Sequence, residues 1–156
     1  VKTPATEEFW NAFCQAAKVT DAGYEVVAFG DSPEMANELA ALVVKGPKRA
    51  TAGLLRDYIE SGSPVPAVGD YVVVVDGAGR PACVWQTTDV RIGPLISVDD
   101  KFAWDEGEGD RSRAWWLDAH RRFFRRQAAR EDFVMHDEIE TIFERFRLVW
   151  PPGLAD

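Results

Sequence analysis

YVVVVDGAGRPACVWQTTDVRI, residues 71–92, decides the fold class. A run of valines after Tyr71 suits a pleated surface, Asp76-Gly77-Ala78-Gly79 supplies turn residues, and a second apolar run follows at once. The stretch reads as a β-hairpin. Upstream of it, SGSPVPAVGD (61–70) is loop, and residues 51–58 fit either a strand or a short helix, because their periodicity does not choose. Further back, YEVVAFGD (24–31) reads as a strand ending in a turn. Ser32-Pro33-Glu34 then opens a helix whose Met35, Leu39, Leu42 and Val43 keep helical spacing until Gly46 and Pro47 stop it. Residues 4 to about 18 form a first helix, with Thr3 as cap, Pro4 at the first position and Trp10, Phe13, Cys14 and Ala17 on one face. Downstream come an acidic glycine loop at 105–110, an Arg-rich helix to about residue 129, and IFERFRLVW as a last strand. Strands and helices in no regular alternation predict an α+β fold with a curved sheet or small barrel. With no long linker and no repeat, 1–156 is expected to be a single domain, with 1–23 a helical extension and 24–150 the core.

The bulk composition narrows the function classes. A hydrophobic share of 46% and a charged share of 28% describe a globular chain, and no apolar run approaches the roughly 20 residues of a membrane span. The first residues carry no apolar signal segment, so a cytoplasmic location and no membrane partner are expected. Cys14 and Cys83 are too few and too far apart for a disulfide framework or a zinc cluster. A net charge of −8 argues against nonspecific binding of nucleic acid, yet Arg111, Arg113, Arg121, Arg122, Arg125, Arg126 and Arg130 concentrate cations in one short stretch. That helix is either a phosphate-binding face for single-stranded RNA or a solvated face with Trp116, Ala119 and Phe123 on the core.

Two short motifs carry candidate chemistry. GPKRAT (46–51) holds Lys48 and Thr51 beside a turn that brings the pair to one side. A hydroxyl and a neutral amine placed together form a nucleophile and its base, but the amine must first lose its proton, which requires burial or a nearby cation such as Arg49. The plain alternative is a solvated helix-end lysine and an ordinary strand threonine. WDEGEGDRS (104–112) alternates Glu106, Glu108 and Asp110 with glycines like the start of a calcium loop. The second half fails, since Arg111 and Leu117 stand where glycine and glutamate are required. Asp110 or Ser112 is instead placed to cap the Arg-rich helix, which leaves Glu106 and Glu108 free to enter a neighbouring cleft, with a flexible capping loop or a weak magnesium site as the alternatives. His120 and His136 have no partner at metal-ligand spacing and read as packing or surface residues.

Taken together these segments resemble the longer bacterial members of the ASCH (activating signal cointegrator homology) family, whose fold is PUA-like: a β-barrel with flanking helices. GPKRAT matches its G-x-K-x-x-T signature, Gly69-Asp70 precedes a hydrophobic strand, and Phe102–Ser112 matches F-A-x-x-E-G-E-G-D-x-S. Trp116, His120, Phe123 and Phe124 match the helix that follows, so that the resemblance covers about residues 24–150. It implies hydrolysis of the amide of cytidine acylated on its exocyclic amine, without metal or cofactor. Lys48 would be the base, Thr51 the nucleophile, and Glu106, with Glu108 as the alternative, would assist the leaving amine. The cleft would also draw substrate contacts from Phe29, Gly30, Asp31, Arg49, Trp104, Glu108 and Ser112. Other members bind or cleave RNA, so the resemblance equally implies an RNA-binding protein, a ribonuclease, or a noncatalytic sensor of a modified nucleotide.

Overall fold

The computed structural model describes residues 1–156. In chain order it contains α1 (Pro4–Ala17), β1 (Glu25–Ala28), α2 (Pro33–Lys45), β2 (Ala50–Leu54) and α3 (Leu55–Ser61), then the hairpin β3 (Tyr71–Val75) and β4 (Pro81–Pro94). A short 3₁₀ turn at Leu95–Ser97, α4 (Asp100–Glu106), α5 (Arg113–Glu131) and β5 (Glu140–Trp150) complete it. The five strands follow the order β1-β3-β4-β5-β2, which makes the fold α+β as expected. No helix is long and apolar enough to cross a membrane.

The chain forms two compact units, one of residues 1–46, 66–89 and 146–156, the other of residues 47–65 and 90–145. In the first, β1 runs parallel to β3, and β3 runs antiparallel to β4. The unbroken valine run has a physical reason, since both faces of β3 are buried. Val72 and Val74 join one cluster with Phe29, Trp85 and Phe146, while Val73 and Val75 join another with Trp10, Phe13 and Tyr24. The helix starts read from the sequence are present. Thr3 and Thr6 form a reciprocal capping box at α1, and the Ser32 hydroxyl accepts from Met35 N at α2.

The second unit is built on β2 and β5, which pair antiparallel with Thr51 opposite Glu144 and Ala52 opposite Phe143. Ala50, Ala52 and Leu54 pack with Phe102, Trp116 and Phe143, so strand alternation turns Thr51 and Gly53 to the other face. Phe102 meets Trp116 and Phe143 edge-on, with centroids 6.1 Å and 5.1 Å apart. The undecided segment 51–58 is both things in turn, strand to Leu54 and helix from Leu55. The loop read at 105–110 needs a correction at its start. Asp99 caps α4 by accepting from Phe102 N, Phe102, Ala103 and Glu106 form its buried stripe, and Glu106 is its last residue. A seven-residue helix shows too few turns for its periodicity to stand out. Replacing Phe102 by Ala removes both edge-on contacts and should cost about 3–5 kcal/mol in urea unfolding, with the secondary structure otherwise kept.

Candidate active site

The second unit holds a polar cluster in its core. Lys48 lies just ahead of β2 and is 1% exposed. Backbone contacts fix that approach: Arg49 N donates to Asp105 O at 2.8 Å, and Gly107 lies close against Lys48. Gly107 has φ +70°, and a Cβ there would fall 2.9 Å from both Lys48 N and Pro47 Cγ. The turn at Gly107 is also what brings the two glutamates together. Residues two apart on a helix point away from each other, but a left-handed residue ending α4 lets Glu106 and Glu108 converge on one point.

That point is the Lys48 amine. Nζ donates to Glu106 Oε1 at 2.5 Å, to Glu108 Oε2 at 2.9 Å and to the Ala50 carbonyl at 2.9 Å. Glu106, also 1% exposed, accepts from Trp116 Nε1 at 2.7 Å through its other oxygen, with His120 Nε2 3.2 Å from the same atom. Burial works against a charged amine here, but the two carboxylates outweigh it and hold Lys48 above the ordinary lysine range. Burial also works against Glu106 as an anion, yet Lys48 and then His120 hold its carboxyl well below the usual range. Glu108 goes the other way. Burial raises it, Lys48 opposes, and the neighbouring Glu106 charge tips the balance upward. Two carboxyls on one amine are therefore unlike, one a fixed anion and the other a group that readily takes a proton.

Lys48 and Glu106 thus stand together, with Glu108 as a third member rather than an alternative. The base role for Lys48 requires a neutral amine, and the two ion pairs favour the charged form. Thr51 is half-buried on the opposite face of β2 from Ala50 and Ala52, beside the buried Glu144, and no hydrogen bond within the chain engages its hydroxyl. Arg49 donates to the Lys48 carbonyl at 2.8 Å. Ser112 caps α5, accepting from Trp115 N, and Asp110 in turn accepts from Ser112 N. Trp104 is 53% exposed with the Arg111 guanidinium 3.6 Å above its ring. Phe29, Gly30 and Asp31 belong to the first unit, where Phe29 is core, Gly30 turns with φ +77° against Met35, and Asp31 is exposed.

Most of the arginines have structural partners. Arg113 donates to the Val98 and Ile96 carbonyls, Arg121 pairs with Asp137, Arg122 pairs with Asp118, and Arg126 lies over Phe123. Arg125 is exposed. The reading of His120 as isolated is corrected, for its ring lies against Glu106. The available signal was its place four residues after Trp116 and four before Phe124, on the buried stripe of α5. Glu106, Glu108 and His120 offer ligand atoms within 4.8 Å of one another, a donor set of the kind a divalent cation takes. Lys48 Nζ already bonds an oxygen of each glutamate and supplies the positive charge there.

A fold of this kind around a buried lysine and a Glu-Gly-Glu turn defines a class. The family model described as ASCH domain matches residues 25–150, and the chain belongs to the ASCH domain family. Two solved structures are similar along nearly the whole chain. A crystal structure of an ASCH domain from Lactobacillus crispatus JV V101 is 29% identical with a TM-score of 0.84, over 94% of this chain and 95% of that one. A protein from Enterococcus faecalis V583, assigned to family-model DUF984, is 32% identical with a TM-score of 0.84, over 92% of this chain and 86% of that one. No curated protein matched the sequence.

Three substitutions test the cluster. Lys48→Met leaves two carboxyls facing each other without a cation and should cost about 3–5 kcal/mol in chemical unfolding, with Glu106→Gln added on top recovering part of that. Gly107→Ala should destabilise the protein by about 1–2 kcal/mol, through the left-handed backbone and the clash with Lys48. Glu106 has a folded-state pKa below its unfolded value, so its stabilisation is present above the ordinary glutamate range and is lost as pH falls through and below about 4.3. Stability measured from pH 6 downward should accordingly fall less steeply in Glu106→Gln than in the wild type.

Proposed function

We propose that this ASCH protein hydrolyses an amide, with N-acylated cytosine nucleosides such as acetylcytidine as the substrate class. One observation carries the reading, the buried Lys48 ammonium bound to two carboxyls of opposite proton affinity. Amide hydrolysis needs a donor for the oxyanion that forms on the acyl carbonyl, and a group that takes a proton from the nucleophile and returns it to the leaving nitrogen. Lys48 suits the first task, the acyl oxygen taking over the N–H that Nζ now gives to Glu108. Glu108 suits the second, because environments that push two carboxyls apart divide fixed charge from proton transfer. Glu106 keeps Lys48 charged and aimed.

In this scheme the Thr51 hydroxyl attacks the acyl carbon, and its proton passes to the Glu108 carboxylate. The C–N bond breaks as Glu108 returns the proton to the exocyclic nitrogen, which releases cytidine and leaves the acyl group as a threonyl ester. Water then attacks the ester with Glu108 again as proton acceptor, freeing the acid and restoring the threonine hydroxyl. Support for Thr51 comes from the signature motif and from a hydroxyl that has no internal partner.

Purified protein should convert acetylcytidine to cytidine, with the rate unchanged by EDTA. Lys48→Ala and Glu108→Gln should each lower kcat by about 10²-fold or more while folded protein remains. Mass spectrometry of Thr51→Ala separates the nucleophiles: loss of turnover supports the ester, and wild-type turnover assigns the attack to water. Replacing Arg121, Arg122, Arg125 and Arg126 by Gln should leave nucleoside hydrolysis unchanged, since a nucleoside carries no phosphate. If the wild type leaves acetylcytidine and other N-acylcytidines intact, the reading is wrong.

A further inference from the structure

Thr51 shares its face of the sheet with a buried carboxyl. On β5, Phe143 meets Phe102 edge-on and Arg145 Nε donates to Asp105 Oδ2 at 2.9 Å, so both of these side chains turn toward α4. Glu144, between them, turns to the opposite face, where the register sets it directly across from Thr51. Side chains paired in this way have Cβ atoms about 4.5–5.5 Å apart. Glu144 is 6% exposed, and the hydrolysis described above gives it no task.

The same face holds an opening. Gly53 follows Thr51 by two residues and lies across the ladder from Ile142. It sits inside β2, where it closes no turn, and a Cβ placed on it would meet nothing within 4 Å. Glycine weakens a strand and packs nothing, so a strand glycine beneath open space suits a place where a flat ligand comes up to the backbone. The Lys48 cluster adjoins this patch, because Nζ bonds the carbonyl of Ala50, one peptide unit before Thr51.

We propose that this patch seats the substrate, with the pyrimidine ring over Gly53 and the Glu144 carboxyl accepting the N–H of the scissile amide, which restricts substrates to secondary amides on a flat ring. The pose rests on the hydrolase reading. Attack requires the acyl carbon about 3–3.5 Å from Thr51 Oγ. The amide nitrogen is one bond of about 1.3 Å further on, and an acceptor for its N–H stands about 2.9 Å from it. A glutamate across the ladder from Thr51 has that reach. The amide N–H is the one donor on the base of an N-acylated cytosine, whose ring nitrogen and oxygen only accept. A carboxylate has about four lone-pair sites, so Glu144 accepts this N–H alongside a partner within the protein. With its N–H held there, the nitrogen turns its lone pair away from Glu144 as it becomes pyramidal, open to the proton that Glu108 returns.

Kinetics with acetylcytidine and with its analogue methylated on the amide nitrogen test the contact. Measured against their alkaline hydrolysis rates, the wild type should prefer acetylcytidine in kcat/KM. Glu144→Met should shrink that preference about tenfold or more, the worth of a hydrogen bond to a charged group. Glu144→Gln keeps an acceptor oxygen and should keep most of the preference. A ratio between two substrates cancels any loss of folded enzyme, so a merely structural role for Glu144 would leave it unmoved. No preference in the wild type, or an unchanged ratio in Glu144→Met, overturns the contact. Gly53→Val tests the seat: it should unfold at the same or a higher urea concentration than the wild type, yet bind acetylcytidine about tenfold or more weakly in calorimetry. Wild-type affinity in Gly53→Val overturns the seat. The binding arm also separates this pose from the hydrolase reading. A wild type that binds acetylcytidine without cleaving it, and loses that binding in Gly53→Val, keeps the seat and ends the hydrolase reading; one that does not bind it ends both.

Discussion

The constraint on which the second unit depends is the burial of an ammonium. Lys48 is 1% exposed, and an amine in that position must either lose its proton or be surrounded by acceptors. Two carboxylates and a carbonyl take the second course, and their placement explains several features at once. α4 ends at Glu106 because its carboxylate must reach Nζ, and Gly107 follows because only a left-handed residue lets Glu108 reach the same atom. The glycine has a second reason, since a side chain there would strike the backbone at Lys48. Trp116 is aligned by the indole hydrogen bond that Glu106 accepts, and it in turn joins Phe102 and Phe143 in the apolar core.

An ion pair in such a place is weak evidence of design for stability, because an apolar filling of the same volume often does as well. What it provides is a pair of carboxyls with unlike proton affinities, which solvent would leave alike. One carboxyl is held down, its neighbour up, and the amine stays charged between them. That division is what acid–base chemistry uses, and in the proposed hydrolysis the proton-transfer role falls to Glu108 rather than to the lysine. The arginines of α5, by contrast, are largely spent on Asp118, Asp137, backbone carbonyls and aromatic faces.

Much of the architecture was open to local reading. The hairpin at 71–92, the capped starts of α1 and α2 and the amphipathic α5 follow from spacing, turn residues and caps, which act over a few residues and so appear in the sequence. Where two short elements abut, as at Leu54–Leu55, or where a helix has two turns, as in α4, the pattern is too brief to show.

The site divides in the same way. The sequence by itself determined which residues stood as candidates near the motifs, Lys48 with Glu106 and Glu108, and it supplied the glycines that their turn requires. It also carried the family, since the ASCH signature segments lie in order along residues 25–150. Only the tertiary structure decided what those residues are chemically. Glu106 lies 58 positions from Lys48, and only their meeting in the core raises the proton affinity of the amine. His120 joined them for the same reason: a lone histidine on a helix has no visible partner until α4 brings a carboxylate to its ring. Proton affinity depends on burial and on charges a few ångströms away, and both are properties of neighbours in space.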